Sequence, residues 1–237
     1  MDGFSYIDIF ATKGIEYLII ITFLALLIPF WIILNNRAVI SRKIQKTLGS
    51  LTAGILRIPQ GLFYAKNHTW MHLEKSGFVK VGLDDLLLHM MGEVKFNYHK
   101  NPGAIIRKGE LLTEIEQNGK LLRILSPLSG KITIINSIIH KNPVVLNEDP
   151  YEKGWICQIK PSKWIVEVDS CYFAEGATHW FAMELERFRD FLTVSLRNYS
   201  SDSMMILQDG GELCDHTLST FSNEIWKDFE KEFLKLN

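Results

Sequence analysis

Few residues of this sequence combine in a pattern that could carry chemistry. His68 is a candidate for proton transfer, but no acid or nucleophile accompanies it in a recognisable pattern, which favours a packed or hydrogen-bonded histidine. Cys214 and His216 could bind a metal ion, but the further ligands that a zinc site needs at regular spacing are missing. No glycine-rich phosphate loop and no nucleophile elbow occurs. The sequence therefore predicts a protein that is not an enzyme and holds no metal.

The clearest local signal is a β-hairpin within residues 115–130. Asn118 and Gly119 form the pair best suited to a two-residue turn, because both positions tolerate positive φ. Proline and glycine in the stretch 126–130 indicate a second turn. The chain is then expected to return as a strand over residues 131–139.

The region around the hairpin, residues 61–168, is predicted to form a β-rich domain. It consists of short apolar runs broken by Gly, Pro and Asn, a pattern typical of a small sandwich or barrel. Residues 83–91 are the main helical exception. Asp84 and Asp85 are expected at the start of that helix, where carboxylates accept hydrogen bonds from free backbone N–H groups.

A series of short motifs runs through this region from Phe63 to Trp164. Taken together, in this order and spacing, they resemble the H-protein of the glycine cleavage system, a relative of the lipoyl and biotinyl carrier domains. The resemblance implies a lipoyl-like barrel-sandwich fold within an α+β protein. The motifs are Phe63-Tyr64-Ala65-Lys66-Asn67-His68-Thr69-Trp70, Val81-Gly82-Leu83-Asp84-Asp85, Gly92-Glu93-Val94, Pro102-Gly103, Lys108-Gly109-Glu110, Ser126-Pro127, Ser129-Gly130, Asn142-Pro143, Asn147-Glu148-Asp149-Pro150-Tyr151, Gly154-Trp155 and Lys160-Pro161-Ser162.

In the family that the region resembles, a lysine at the hairpin tip carries lipoate on a mobile arm, in a pattern like Glu-Ser-Val-Lys-Ala. Aligned without a gap on Glu116 and on Ser126-Pro127, that position holds Gly119, and Lys120 is displaced by one residue. A shift of one residue in a strand turns a side chain to the opposite face. We therefore predict that the fold is kept without a lipoyl cofactor and that Lys120 is a solvated lysine beside the turn. The alternative is a rearranged hairpin in which Lys120 carries lipoate.

An apolar stretch over residues 15–36, after a short N-terminal segment at 1–14, predicts a transmembrane helix. About 20 residues at 1.5 Å per residue span the roughly 30 Å of a bilayer's hydrocarbon core, and a membrane helix tolerates a proline such as Pro29. A buried soluble helix is disfavoured because the stretch is apolar all round. A cleavable signal peptide is disfavoured because the leading segment is acidic and no small-residue cleavage site follows.

The flanks of this stretch predict its orientation. Positive charges follow it at Arg37, Arg42, Lys43 and Lys46, which by the positive-inside rule places the C-terminal side in the cytoplasm. The expected location is the bacterial inner membrane, with a single pass and a cytoplasmic soluble domain. Residues 37–60 are interpreted as a basic juxtamembrane linker, which is either an amphipathic helix on anionic headgroups or a plain spacer.

Composition sets further limits on the class of protein. The chain has 237 residues, a formal net charge of -1 and 47% hydrophobic residues, which favours a packed core and gives no reason to expect nucleic-acid binding. The cysteines, Cys157, Cys171 and Cys214, form no Cys-x-x-Cys pair, and their odd number leaves at least one without an intramolecular partner. A reducing compartment suits them.

Residues 169–237 predict a helical extension that the family resemblance does not cover. Apolar residues with helical spacing indicate a helix over residues 179–192, and a turn is expected at 209–211. Ser222 is expected to cap a last helix that carries Ile225, Trp226, Phe229 and Phe233 on one side. Internal packing of these helices is favoured, and a docking face for another subunit is the alternative.

Two functions follow as hypotheses from different classes. The first is a membrane-anchored, non-catalytic interaction or accessory subunit of a bacterial membrane protein complex, because tethering raises effective concentration near membrane partners without chemistry of its own. The second is a lipoyl carrier modified on Lys120, as the resemblance implies if the hairpin is rearranged. Lipoyl modification of Lys120 discriminates between them.

Overall fold

The computed structural model describes residues 9–35, 51, 54–199 and 215–236. The chain divides into two compact units, residues 1–47 and 48–237. The predicted turn at 209–211, the candidate metal ligand Cys214 and most of the predicted linker at 37–60 lie outside the described residues.

The first unit contains one helix, α1 (Ile9–Asn35), with Pro29 inside it. Its large apolar side chains between Tyr17 and Trp31 are exposed. None of the helices in the described part of the chain is long and apolar enough to cross a membrane. The prediction of a transmembrane helix at 15–36 is therefore not confirmed.

The second unit is built on two antiparallel sheets. The larger has seven strands in the order β10-β1-β2-β3-β9-β8-β5, and the smaller has three in the order β4-β6-β7. The strands are β1 (Phe63–Tyr64), β2 (Thr69–Leu73), β3 (Val79–Leu83), β4 (Lys95–Tyr98), β5 (Ile105–Ile106), β6 (Leu111–Gln117), β7 (Lys120–Leu125), β8 (Gly130–Ile135), β9 (Trp155–Pro161) and β10 (Tyr172–Phe173).

Helices cover and connect these sheets. In the described part of the unit they are α2 (Asp85–Met91), α3 (Ser137–Lys141), α4 (Val144–Glu148), α5 (Trp164–Val168), α6 (Ala174–Tyr199), a short 3-10 helix (Thr217–Thr220) and α7 (Asn223–Phe233). The predicted start of α2 is confirmed, because the Asp84 carboxylate accepts a hydrogen bond from the backbone N–H of Leu87 at 2.8 Å.

One predicted strand is shorter than expected. The strand predicted for residues 131–139 ends at Ile135, so the prediction is wrong for its last four positions. Asn136 is the cause, because its side chain accepts a hydrogen bond from the backbone N–H of Ile138 at 3.0 Å and starts α3.

The C-terminal helices are part of the core, which confirms the favoured prediction that they pack internally. The buried face of α6 meets that of α7 in a cluster of four aromatic rings, Phe188, Phe191, Phe229 and Phe233. Part of the predicted linker is also buried in this unit, at Leu51, Ile55 and Leu56.

Candidate functional site

The hairpin of β6 and β7 has the geometry that its sequence predicts. Asn118 and Gly119 both have positive φ, at 52° and 76°, and the strands pair Gln117 with Lys120 and Glu116 with Leu121. Both turn residues are exposed, and a Cβ added at Gly119 would meet nothing within 4 Å. The tip is therefore a tight, open two-residue turn without an amine of its own.

Lys120 lies beside this turn and is half-buried, with its ammonium bound to another part of the protein. Its ammonium donates hydrogen bonds to the backbone carbonyls of Ser219, at 3.1 Å, and of Phe221. The same ammonium lies 5.3 Å from the ring centroid of Trp226. The prediction of a solvated lysine is therefore wrong. The reason is that the carbonyls at the end of the 3-10 helix lack partners within that helix, and Lys120 supplies donors to them.

The segment that receives Lys120 is held from two further sides. The indole N–H of Trp226 donates to the carbonyl of Leu218 at 2.7 Å, and the backbone N–H of His216 donates to the carbonyl of His89 at 2.6 Å. Leu218 is fully buried. We define residues 215–222 as the latch segment, because they connect the hairpin, α2 and the start of α7.

His89 forms an ionic clamp at the start of the latch segment. Its Nδ1 lies 2.8 Å from a carboxylate oxygen of Asp215, and its Nε2 lies 3.4 Å from Asp85, which also binds the guanidinium of Arg57 at 2.7 Å. Burial alone would lower the pKa of His89, but hydrogen bonds to Asp215 and Asp85 raise it to about 9. The imidazole is therefore charged at neutral pH.

The outer edge of the hairpin is tied to α7. Glu230 accepts a hydrogen bond from the backbone N–H of Arg123 at 3.2 Å and pairs with its guanidinium at 2.8 Å. A groove of about 540 Å³ runs along this contact. Its lining residues are Glu114, Leu121, Arg123, Lys227, Glu230, Lys231 and Lys235.

His68 belongs to a buried network rather than to an open site. Its ring is fully buried, with Nδ1 2.8 Å from the Asp84 carboxylate and Nε2 3.8 Å from that of Glu184 on α6. Burial alone would lower the pKa of His68, but the two carboxylates raise it above its ordinary value. Glu184 in turn accepts from Arg187 at 2.6 Å. The favoured prediction of a hydrogen-bonded histidine is confirmed by the bond to Asp84, whereas Glu184 lies too far from Nε2 for a hydrogen bond and acts only through its charge.

Comparison with known proteins places this domain in a family. A family model described as glycine cleavage H-protein matches residues 62–178. A probable glycine cleavage system H protein of Thermococcus gammatolerans is 32% identical over 126 residues, which cover 53% of this chain and 93% of that protein. The chain belongs to the glycine cleavage H-protein family.

A second relative and one solved structure are similar to the same part of the chain. The glycine cleavage system H protein of Thermus thermophilus is 33% identical over 119 residues, covering 50% of this chain and 91% of the relative. The crystal structure of an H protein from Mycobacterium marinum aligns with a TM-score of 0.41 at 25% identity, covering 44% of this chain and 87% of that one. The identities of 32% and 33%, over 93% and 91% of the two relatives, confirm the sequence-based identification of the H-protein family.

Within this H-protein domain, the prediction that Gly119 occupies the position of the lipoyl lysine stays a prediction. The geometry adds that Gly119 is at the exposed tip, whereas Lys120 is engaged by the latch segment. No group of three or more His, Cys, Asp or Glu among the described residues could hold a metal ion. That finding does not test the candidate pair Cys214 and His216, because Cys214 lies outside the described residues.

Sequence reasoning missed the partners of Lys120. The partners lie about 100 positions away, at Ser219, Phe221 and Trp226. The first two contacts use backbone carbonyls, which carry no sequence signal. The amphipathic pattern of α7 was the available hint, because it indicated a helix that must bury Trp226 and Phe229 somewhere on the domain.

Proposed function

We propose that this chain is a non-catalytic interaction module of the H-protein family that works without a lipoyl arm. The observation that supports the proposal is the engagement of the Lys120 ammonium by the carbonyls of Ser219 and Phe221. A lipoyl amide at Lys120 would remove the positive charge and two of the three N–H donors, and would leave these carbonyls without their cationic partner.

The tip of the hairpin supports the same proposal. A carrier arm must reach the active sites of other enzymes, so its attachment point has to project from the protein. The residues that project here are Asn118 and Gly119, and neither has an amine to acylate. The chain keeps the core and the hairpin register, but it has no lysine at the exposed tip, which is the position suited to an arm. Such a domain can still bind other proteins through the surface that the fold of this family presents.

The test is the modification state of the intact chain. The full-length protein, produced in lipoate-replete cells together with a lipoyl-attaching enzyme, is expected to show an unmodified mass. A family member that has the hairpin-tip lysine, produced in the same cells, is the positive control and should gain the lipoyl mass. A lipoyl adduct mapped to Lys120 and lost in Lys120→Arg would contradict the proposal.

The second candidate is a lipoyl carrier modified on Lys120. The observation that favours it is the similarity to proteins named glycine cleavage system H protein, which extends over 93% of the Thermococcus gammatolerans relative. This alternative requires Lys120 to leave Ser219, Phe221 and Trp226 before it is modified. The same mass measurement decides between the two functions.

A further inference from the structure

The groove along the contact between the hairpin and α7 has two walls of different character. One wall comes from the hairpin, where Glu114 and Arg123 are directly opposed and the side chain of Leu121 is 49% exposed. The other wall comes from the C-terminal region. It consists of Lys227, Glu230, Lys231 and Lys235.

The charges of the groove do not cancel. Both of its carboxylates are already engaged, since Glu230 pairs with Arg123 at 2.8 Å and Glu114 lies 2.8 Å from Nε2 of His99. None of the ion pairs among the described residues includes one of the three lysines of the groove, and all three are exposed. The groove therefore carries positive charge that the protein itself leaves unmatched.

The end of a helix explains only part of this charge. Lys231 and Lys235 lie near the C-terminal end of α7, where the helix dipole favours cations. Lys227 lies in the middle of α7 and gains nothing from that end. The groove thus extends a positive wall along the helix, beyond what the helix end requires.

The spacing of the lysines fits an extended acidic chain. Lys227 and Lys231 are four residues apart on α7, which places them about 6 Å apart along the helix axis. Alternate side chains of an extended peptide lie roughly 6.6 Å apart on one face, and the side chains between them point to the opposite face. In the groove that opposite face meets the hairpin wall, where Leu121 offers exposed apolar surface.

We propose that this groove binds an extended segment of a partner protein in which acidic and apolar residues alternate. Its carboxylates pair with Lys227 and Lys231, and its apolar side chains contact Leu121. A concave site with one basic and one partly apolar wall suits a peptide better than the flat surface of a membrane. Four of the lining residues follow residue 178, where the match to the family model ends, so the family does not imply this binding.

Fluorescence anisotropy with the full-length protein tests the proposal. The probe is a fluorescein-labelled peptide of sequence Glu-Val-Glu-Val-Glu-Val, and its isomer Glu-Glu-Glu-Val-Val-Val has the same charge and composition. We expect saturable binding of the alternating peptide with a Kd below about 1 mM, at least about threefold tighter than that of the isomer, and weaker as salt is added. No saturable binding, or equal affinity for the two peptides, would overturn the proposal.

Paired charge variants locate the binding site. Lys227→Gln combined with Lys231→Gln should weaken binding at least about threefold, because each exposed ion pair contributes a factor of up to about five. Lys75→Gln combined with Lys153→Gln removes the same charge from exposed positions outside the groove and should change the Kd less than about twofold. Equal losses in the two double variants would show a general attraction between charges and refute a site in the groove.

Leu121→Thr tests the apolar wall. Threonine keeps the preference for a strand but removes apolar surface, so the advantage of the alternating peptide over its isomer should shrink. An unchanged advantage would contradict the contact with Leu121.

Vesicles of phosphatidylcholine and phosphatidylserine test the other source of negative charge. Sedimentation with these vesicles that depends on Lys227 and Lys231, in a protein that does not bind the peptide, would overturn the proposal in favour of a membrane surface. The inference rests on the proposed function, because it gives the interaction module a partner of defined chemistry, but the two fail separately. A lipoyl adduct on Lys120 refutes the proposed function, whereas loss of peptide binding in the unmodified protein refutes the groove alone.

Discussion

Gly119 is the residue at which a lysine would test the proposed absence of a lipoyl arm. The position is exposed, and a Cβ there would meet nothing within 4 Å, although φ of 76° makes any other residue cost about 1 kcal/mol. We predict that Gly119→Lys gains a lipoyl group in cells where the wild-type chain does not, as seen in the intact mass.

Gly103→Lys is the matched control for that prediction. Gly103 also has positive φ, 95°, and open space around a Cβ, but it is not in the β6-β7 hairpin. It should fold with a similar small cost and stay unmodified. An unmodified Gly119→Lys, beside a modified family member in the same cells, would show that more than the missing lysine separates this hairpin from a carrier.

His89 makes stability depend on pH in a defined direction. Its folded pKa of about 9 exceeds the ordinary value of 6.5, so the stabilisation is complete below pH 6.5 and is lost as the pH rises through about 9. The expected loss of unfolding free energy between these limits is on the order of 3 kcal/mol. Urea titrations at pH 6.5 and 9 measure it.

The variant Asp215→Asn isolates this contribution. It removes one partner of His89 and leaves Asp85 and Arg57 in place, so the pH dependence should become shallower. His68, whose pKa is also raised, contributes in the same direction to both proteins and cancels in the comparison. An identical slope in the two proteins would show that Asp215 does not hold the proton on His89.

At the scale of elements, the pairing of α6 with α7 holds the C-terminal region. Phe229 is fully buried and meets Phe188, Phe191 and Phe233 with ring centroids 5.8, 6.0 and 4.8 Å away. Phe229→Ala is expected to cost about 3–5 kcal/mol of unfolding free energy, because it leaves a cavity among rings. Met183→Ala, on the exposed side of α6, should cost less than about 0.5 kcal/mol. Denaturant unfolding of both variants tests this, and a cost at Phe229 as small as that at Met183 would contradict the packing.

These elements also show which features the sequence could predict. The turn at Asn118-Gly119, the cap at Asp84 and the buried face of α7 follow from local signals, namely φ preference, carboxylate position and helical spacing. The place of Lys120 does not, because its acceptors are carbonyls 99 and 101 positions away. The same holds for Glu184, which approaches His68 only because α6 packs against β1, where the rings of Phe181 and Tyr64 lie 5.0 Å apart. Asn136 was a local signal for the end of β8 and the start of α3, but the strand-like residues around it outweighed this signal in the prediction.

For the whole molecule, the boundary between the two units gives the last prediction. Residues 48–237 form a compact unit whose core includes Leu51, Ile55 and Leu56. A chain that begins at Leu48 should therefore melt within about 3 °C of the full-length protein in a calorimetric scan.

A chain that begins at Gly61 loses those three side chains and the Arg57 guanidinium, which pairs with the buried Asp85 carboxylate. Each lost apolar side chain removes about 1.5–3 kcal/mol, so this shorter chain should melt more than about 10 °C lower. If the two truncated chains melted together, residues 51–57 would contribute nothing to the fold, and the predicted boundary at Gly61 would be the correct start of the domain.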